Sequence, residues 1–249
     1  MSRSEQPRIA VVLSGGGARG AYEAGVLYYV LERLPHVLGR PVHLDILSGS
    51  SVGAIHACFV AGHAGDPGAL ERLLAIWRAF DVDSVYDVRA RAVVGFALGL
   101  LGFRSRAHPV AGDVPQAPTR IPGLLDASPL ERLILNEIPW QRIPEKLAGG
   151  ALDTLAIAAT EVKSGRTIVF VENREGRVDR WAHDPFIVAR PERIGPEHAL
   201  ASAAIPLFFP TIRIGGSYYC DGSLRLNTPL APALRLGADR VLVIGVHHV

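Results

Sequence analysis

Two short glycine-framed segments, each placed after an apolar run and before a helix-like pattern, constrain the fold of this sequence most. The first segment reads Gly-Gly-Gly-Ala-Arg-Gly at residues 15–20, and the second reads Gly-Ser-Ser-Val-Gly at residues 49–53. The apolar runs at residues 9–13 and 44–47 that precede them each predict a buried strand. Repeated strand-to-helix turns of this kind are typical of an α/β fold with a mostly parallel sheet.

Further apolar runs predict five more strands, and helical patterns separate several of the strands. The five runs are residues 154–159, 167–171, 208–214, 218–220 and 241–246. The predicted helices are residues 18–34, stopped by Pro35, then 51–61, 67–80 and one that opens at Ser128. This order predicts a three-layer α/β/α architecture, in which helices cover both faces of a central mostly parallel sheet. A chain of 249 residues is long enough to form it as one domain over residues 1–249.

Composition removes several classes of function. The formal net charge is only +2 and the arginines are scattered, which argues against a nucleic-acid partner. No apolar stretch reaches the roughly 18 to 20 residues of a membrane span, and the run at residues 9–13 is shorter than a signal-peptide core. We therefore recognise no signal peptide and expect a cytoplasmic protein, with peripheral contact at a membrane as the other option. No metal-ligand spacing is visible, and we expect no metal or organic cofactor.

The stretch at residues 84–125 is the least regular part of the sequence and predicts an excursion from the sheet. It contains four prolines, and an apolar segment at residues 92–103 is flanked by arginines and broken by glycines. Two interpretations stay open for this segment. It is either a helix packed on the domain or in a dimer interface, or a cap that lies on an anionic lipid surface.

The glycine loop at residues 15–20 has two competing interpretations. It satisfies the G-x-G-x-x-G pattern of a dinucleotide site, with Asp45 as a candidate ribose-binding acid, but Asp45 falls inside the predicted second strand. That interpretation also leaves the second glycine segment without a role. The alternative is an oxyanion hole, in which successive backbone N–H groups point at a developing negative charge and Arg19 adds positive potential or fixes the loop.

The second segment has the G-x-S-x-G pattern of a nucleophile elbow, with Ser51 at the central position. Gly49 and Gly53 leave room for a tight turn, and the serine hydroxyl then projects from the edge of the sheet. A small-residue turn that only lets the helix pack closely is the simpler explanation of the motif alone. Its place between a strand and a helix favours the catalytic one.

A serine nucleophile needs a base, and the sequence offers two arrangements. Asp221 ends a predicted strand and is followed by Gly222, which places a carboxylate at a sheet edge. In the order of a Ser-Asp-His triad, Asp221 with His247 or His248 would qualify instead. An ordinary Asp has a pKa of about 3.9, so Asp221 needs a raised pKa or a stabilised alkoxide to act alone.

Taken together, these motifs resemble the patatin-like phospholipase family, whose members combine a glycine-rich oxyanion loop, a G-x-S-x-G elbow and a later Asp-Gly pair. The resemblance covers most of the chain and extends to the stretches at residues 125–130, 159–161 and 201–206. Three departures are visible. Ser223 stands where the family often has a second glycine, Ser50 replaces a common threonine, and relatives usually continue beyond Val249.

The resemblance implies a serine acyl hydrolase with a Ser-Asp dyad and no histidine. Ser51 would be the nucleophile and Asp221 the base. The implied oxyanion loop comprises Gly15, Gly16, Gly17, Ala18 and Arg19, with the N–H groups of Gly16, Gly17 and Ala18 as donors. The implied substrate is a lipid ester such as a phospholipid or lysophospholipid, while a soluble short-chain ester is the alternative.

Overall fold

The structure is a computed structural model and describes residues 7–79, 128–179, 181 and 184–246. The predicted excursion at residues 84–125 lies outside these residues. The strands are β1 Ile9–Leu13, β2 Ile46–Ser50, β3 Thr154–Glu161, β4 Thr167–Asn173, β5 Ile187–Pro191, β6 Ile212–Ile214, β7 Ser217–Asp221 and β8 Arg240–Ile244. The α-helices are α1 Gly20–Tyr28, α2 Leu34–Leu38, α3 Val52–Gly62, α4 Ala69–Ala79, α5 Ser128–Glu137, α6 Arg142–Ala148, α7 Pro196–Ser202 and α8 Leu230–Arg235. Short 3₁₀ turns lie at Gly17–Arg19 and Gly222–Leu224, and a π-helical turn at Tyr29–Arg33 joins α1 to α2.

The strands form one mixed sheet with a parallel centre. Its order is β5-β4-β3-β2-β1-β8, and β8, β1, β2 and β3 run parallel to one another. Strand β4 is antiparallel to β3, and the hairpin of β6 and β7 adds to β3 in the antiparallel sense. The predicted α/β fold with a mostly parallel central sheet and flanking helices is confirmed.

Strand β3 brings the ends of two other strands together. Strand β4 pairs along one edge of β3 from Thr154 to Thr160, so β2 and β7 must share the opposite edge. Strand β2 occupies that edge as far as Ala158, which is paired with Ser50, and β7 continues from Ala159, which is paired with Asp221. The residue that follows β2 therefore meets the last residue of β7.

The core is divided between the two faces of the sheet because side chains alternate along each strand. In β1, Val11 and Leu13 belong to the large apolar cluster that also contains residues of α1, α3 and α4. Ala10 and Val12 face the other side and pack with Ala233 of α8. Helix α3 is buried along its whole length, which explains its near absence of polar residues.

Several predicted boundaries are wrong for local reasons. The helical path does not stop at Pro35, because that proline lies in the first turn of α2, where its missing N–H costs nothing, and α2 ends only before the left-handed Gly39. Strand β6 begins at Ile212 rather than residue 208, because residues 205–209 form a turn in which the Phe209 N–H donates to the Ile205 carbonyl. Strand β5 is missing from the prediction because it is a partly exposed edge strand that ends in Arg-Pro.

The prediction that Asp45 lies inside a strand is wrong, because Asp45 lies directly before β2. Its Oδ2 accepts a hydrogen bond from the Ile9 N–H at 2.7 Å, which ties the starts of β1 and β2 together. Because β1 and β2 are parallel, Asp45 at the start of β2 lies at the opposite end of the strands from the glycine loop, which follows β1. This position rules it out as a ribose-binding partner of that loop. Among the described helices, none is long and apolar enough to cross a membrane.

Candidate active site

Ser51 occupies a strained turn between β2 and α3. Its φ of 54° and ψ of −125° are unusual for a residue other than glycine, and such a conformation costs on the order of 1–3 kcal/mol. The flanking glycines make the turn sterically possible. A Cβ at Gly49 would lie 2.3 Å from the Gly53 carbonyl oxygen, and one at Gly53 would lie 2.5 Å from the Leu13 carbonyl oxygen. The G-x-S-x-G pattern is therefore a packing requirement of this turn.

A buried serine of α7 holds the strained backbone in place. The Ser51 N–H donates to Ser202 Oγ at 2.9 Å, and the Ser202 hydroxyl donates to the Ala158 carbonyl at 2.6 Å. The Ser202 side chain is fully buried and links the turn to β3. Sequence reasoning included the stretch around Ser202 in the family resemblance but assigned it no role, because nothing local distinguishes one serine in a short helix.

The side chains of Ser51 and Asp221 meet at the junction of β2, β3 and β7. The Ser51 hydroxyl donates to Asp221 Oδ2 across 2.8 Å. Both side chains are buried, with exposures of 5% for Ser51 and 1% for Asp221. The structure thus brings together the two residues that the sequence motifs single out as nucleophile and base.

The second oxygen of Asp221 is held by Ser223. Asp221 Oδ1 accepts hydrogen bonds from the Ser223 N–H at 2.7 Å and from the Ser223 hydroxyl at 2.5 Å. Burial raises the pKa of Asp221 above its ordinary value, and the hydrogen bonds from Ser223 and Ser51 offset part of that rise. The carboxylate is therefore a stronger base than an exposed Asp. Its Oδ2, which Ser223 does not occupy, accepts the hydrogen bond from the Ser51 hydroxyl.

The glycine loop passes directly beside Ser51. A Cβ at Gly15 would lie 3.1 Å from the Cβ of Ser51 and 2.7 Å from that of Ser223. The Gly15 N–H already donates to the Asn227 carbonyl, and the Arg19 N–H donates to the Gly16 carbonyl. In the described part of the chain, the N–H groups of Gly16, Gly17 and Ala18 have no such acceptor. Gly17 has the left-handed φ of 55°, so the loop turns sharply at its centre.

Arg19 contributes to the loop through its side chain. Its Nη1 donates to the Val246 carbonyl at 3.1 Å, and a Cβ at Gly16 would lie only 2.0 Å from Cγ2 of Val246. The guanidinium therefore ties the glycine loop to the chain that follows β8. Of the two roles considered for Arg19, this contact supports fixing the loop.

An apolar cavity of about 290 Å³ opens beside Ser51. Two residues of the glycine loop, Gly17 and Ala18, form part of its rim. The rest of the lining is Ala21, Val52, Ile55, His56, Leu73, Ile76, Trp77, Leu130, Leu133, Ala203, Ile205 and Phe209. An apolar cavity with a serine in its lining suits a hydrocarbon chain whose carbonyl lies at the serine.

The buried histidines of the described chain are engaged elsewhere. His56 contacts Glu23 through Nδ1 and Trp77 through Nε2. His198 accepts a hydrogen bond from the Gly195 N–H, and burial lowers its pKa to about 4. Neither contacts Ser51 or Asp221. The two candidates for a triad, His247 and His248, lie outside the described residues.

Comparison with known proteins finds a family model that matches the part of the chain in which these motifs lie. The family model described as patatin-like phospholipase matches residues 11–234. Among curated proteins, a cGAMP-activated phospholipase of Pseudomonas aeruginosa (strain BWHPSA011 / Pa011) is 26% identical over 225 residues, which cover 88% of this chain and 53% of that protein. The chain spans about half the length of this curated relative.

Solved structures align with this chain at lower sequence identity. VipD from Legionella pneumophila aligns with a TM-score of 0.49 and 16% identity, covering 95% of this chain and 49% of that chain. ExoU, in its heterodimeric complex with SpcU from the type III secretion system of Pseudomonas aeruginosa, aligns with a TM-score of 0.38 and 22% identity. That alignment covers 80% of this chain and 36% of the other.

Proposed function

This chain belongs to the patatin-like phospholipase family, and from that premise we propose that it hydrolyses carboxylic esters of lipids through a Ser51–Asp221 dyad. The observation that carries the proposal is the 2.8 Å hydrogen bond from the Ser51 hydroxyl to Asp221 Oδ2. In a Ser-Asp-His triad the acid contacts the histidine instead of the serine. The direct contact therefore favours a dyad over a triad.

In the proposed reaction, Asp221 Oδ2 takes the Ser51 proton as Oγ attacks the ester carbonyl carbon. The N-terminus of α3 begins directly after Ser51 and favours the negative charge that develops there. Collapse of the tetrahedral intermediate breaks the bond to the leaving alcohol, which receives the proton from Asp221. Water then attacks the acyl-enzyme with Asp221 as base, and Ser51 regains its proton as the acid leaves.

The glycine loop is the proposed oxyanion hole. The N–H groups of Gly16, Gly17 and Ala18 would donate to the carbonyl oxygen as it becomes an oxyanion. One donor in such a hole contributes about 3 kcal/mol of transition-state stabilisation, or roughly a hundredfold in rate. Arg19 holds the loop in position through its contact with Val246.

We assign the substrate class from the cavity and from the relative. The apolar lining beside Ser51 fits an acyl chain, and the curated relative is named a phospholipase. Phospholipase A or lysophospholipase activity is accordingly the proposed type. A turn at the cavity supports action at a lipid surface, because Ile205 and Phe209 line the cavity while Leu207 and Phe208 are exposed by 69% and 48%.

Fluorophosphonate labelling combined with ester turnover tests the dyad. We expect Ser51→Ala to abolish labelling and Asp221→Asn to lower kcat by roughly 10³-fold or more, because the nucleophile then has no base. Ser50→Ala is the matched control: this buried neighbour has no hydrogen-bond partner among the described residues, and its loss should leave turnover within about threefold of wild type.

The double variant His247→Ala/His248→Ala separates the dyad from the triad. A dyad predicts that this variant keeps its turnover within about threefold of wild type. Loss of turnover to the level of Asp221→Asn would replace the dyad with a Ser-Asp-His triad. Binding of NAD(H) by a wild-type protein that fluorophosphonate does not label would instead support a nucleotide site.

A further inference from the structure

A hydrogen-bonded network of three side chains, two of them buried and the third half-buried, lies at the wall of the apolar cavity. His56 Nδ1 lies 2.9 Å from Glu23 Oε2, and the Trp77 indole Nε1–H donates to His56 Nε2 at 2.9 Å. Glu23 is fully buried and His56 is 1% exposed. The three residues come from α1, α3 and α4, so the network joins three helices around one side of the cavity.

The tryptophan fixes the state of the histidine. An indole N–H can only donate, so His56 Nε2 carries no proton and His56 Nδ1–H must donate to Glu23. Both ring nitrogens are therefore used, and His56 has none left for proton transfer at Ser51. The hydrogen-bonded side chains of Glu23, His56 and Trp77 therefore have no part in the proposed proton transfers of hydrolysis.

Burying the polar side chains of Glu23 and His56 in the wall of an apolar cavity costs folding free energy. Burial raises the pKa of Glu23, and the hydrogen bond from His56 is the largest effect that opposes this rise. A buried carboxylate and imidazole contribute little net stability compared with apolar side chains of the same size. What this network provides is direction, because the hydrogen bond to His56 Nε2 fixes the orientation of the Trp77 indole.

Trp77 is also held from its other side. A Cβ at Gly20 would lie 2.6 Å from Cζ2 and 2.9 Å from Cη2 of the indole, so the ring fits against a position that only glycine can occupy. The rings of His56 and Trp77 meet edge to face, with their centroids 5.6 Å apart. The indole is thus a fixed wall between α1 and α3, and it faces the space beside Ser51.

We propose that Trp77, oriented by His56 and Glu23, determines which acyl chain lengths the cavity accepts. This inference rests on the proposed ester hydrolysis. Trp77 would contact the acyl chain of the substrate directly, whereas His56 and Glu23 are positioning residues that act through Trp77. The cavity of about 290 Å³ lies at the small end for ligand sites, so a fixed aromatic wall in it limits chain length sterically.

The test is the dependence of kcat/KM on acyl length, measured with p-nitrophenyl esters from butyrate to palmitate. Trp77→Ala removes the wall and should raise the ratio of palmitate to butyrate kcat/KM by about tenfold, through KM for the long ester. Trp77→Phe keeps a ring but loses the N–H, and should raise the same ratio by about threefold. Leu74→Ala is the matched control, because Leu74 lies on the same helix, packs on the core and does not line the cavity.

The control should keep the wild-type ratio even if its melting temperature falls. An unchanged ratio in Trp77→Phe and Trp77→Ala would overturn the inference, and so would an equal change in Leu74→Ala. If Trp77→Ala does not fold, Trp77→Phe decides alone, with fluorophosphonate labelling as the check on its active site. Failure of the proposed function is distinct, because the wild-type enzyme would then cleave none of the esters.

Discussion

At the scale of single residues, the surroundings of Asp221 suit the role of base that we propose for it. Burial raises its pKa, while Ser223 lowers it again and keeps Oδ1 occupied so that Oδ2 faces Ser51. Ser223 was noted in the sequence only as a departure from the family pattern. In the structure its hydroxyl donates to Oδ1 of the proposed base, a contact that a glycine at the same place would lack.

Loss of the Ser223 hydroxyl should change the pH dependence of the reaction. In the proposed mechanism the reaction requires ionised Asp221, so kcat/KM should fall as the pH drops through the pKa of Asp221. Ser223→Ala removes a hydrogen bond that lowers this pKa, and we expect the acid limb of the kcat/KM profile to move to higher pH. The pH profile of a soluble ester measures this directly.

Ser164→Ala is a matched control for that experiment. The Ser164 hydroxyl also donates to a carboxylate, Glu161 Oε2 at 2.5 Å, but this pair is exposed and has no hydrogen bond to Ser51 or Asp221. Its removal should leave the acid limb where it is. A shift to lower pH in Ser223→Ala would contradict the role given to Ser223.

At the scale of elements, the site exists because β2 and β7 share one edge of β3. The sequence predicted both strands and the residues at their ends, since glycines, a serine and an aspartate follow apolar runs in recognisable patterns. It did not predict how the strands pair, because pairing depends on residues far apart in the chain. Ser202 was not assigned for the same reason: its contacts with Ser51 and Ala158 arise only when α7 packs on β3.

The cavity wall shows the same limit of sequence reasoning. A helix over residues 67–80 was predicted, and the side chains that recur on one face of α4 pack on the core: Leu70, Leu73, Leu74 and Trp77. Their partners were not predictable, because His56 has no distinctive spacing from either Glu23 or Trp77. Local patterns identified the motifs, whereas the polar contacts that hold the site depend on the assembled fold.

Ser202→Ala tests whether the buried serine holds the strained turn. The variant leaves the Ser51 N–H without an acceptor and should cost about 1–3 kcal/mol of unfolding free energy. We also expect kcat to fall by about tenfold with little change in KM, because the turn no longer fixes the nucleophile. Ser48→Ala provides the control: it removes a buried hydrogen bond to the Pro229 carbonyl from the same strand but does not contact the turn.

Both variants should therefore lose stability, measured by denaturant unfolding, while only Ser202→Ala loses kcat. A similar fall of kcat in the two variants would indicate general loosening of the sheet. Unchanged kcat in Ser202→Ala would show that the turn holds its shape without this serine.

At the scale of the whole molecule, the turn at residues 205–209 connects the cavity with the surface. Two of its side chains line the cavity, and Leu207 and Phe208 point outward. Leu207 has a positive φ of 72°, which is unfavourable for a leucine. A strained turn that exposes two large apolar side chains beside an apolar cavity fits insertion into a lipid surface.

Leu207→Asp/Phe208→Asp should separate surface binding from chemistry. We expect hydrolysis of anionic phospholipid vesicles to fall by about tenfold or more, since each large apolar side chain contributes about 1.5–3 kcal/mol when buried. Hydrolysis of a soluble butyrate ester should change little. Val37→Asp/Leu38→Asp is the matched control, because these residues are exposed by 73% and 46% on α2 and do not line the cavity. Equal loss on vesicles in both double variants would argue against contact through this turn.

Intact-protein mass spectrometry can detect the proposed acyl-enzyme on Ser51 and its dependence on Asp221 as the base. Enzyme quenched during turnover of an ester should carry one acyl group, and proteolysis should locate that group on Ser51. Ser51→Ala should carry none, and Asp221→Asn should acquire it at least about 10³-fold more slowly. An acyl group on another residue, or turnover that continues in Ser51→Ala, would rule out Ser51 as the nucleophile.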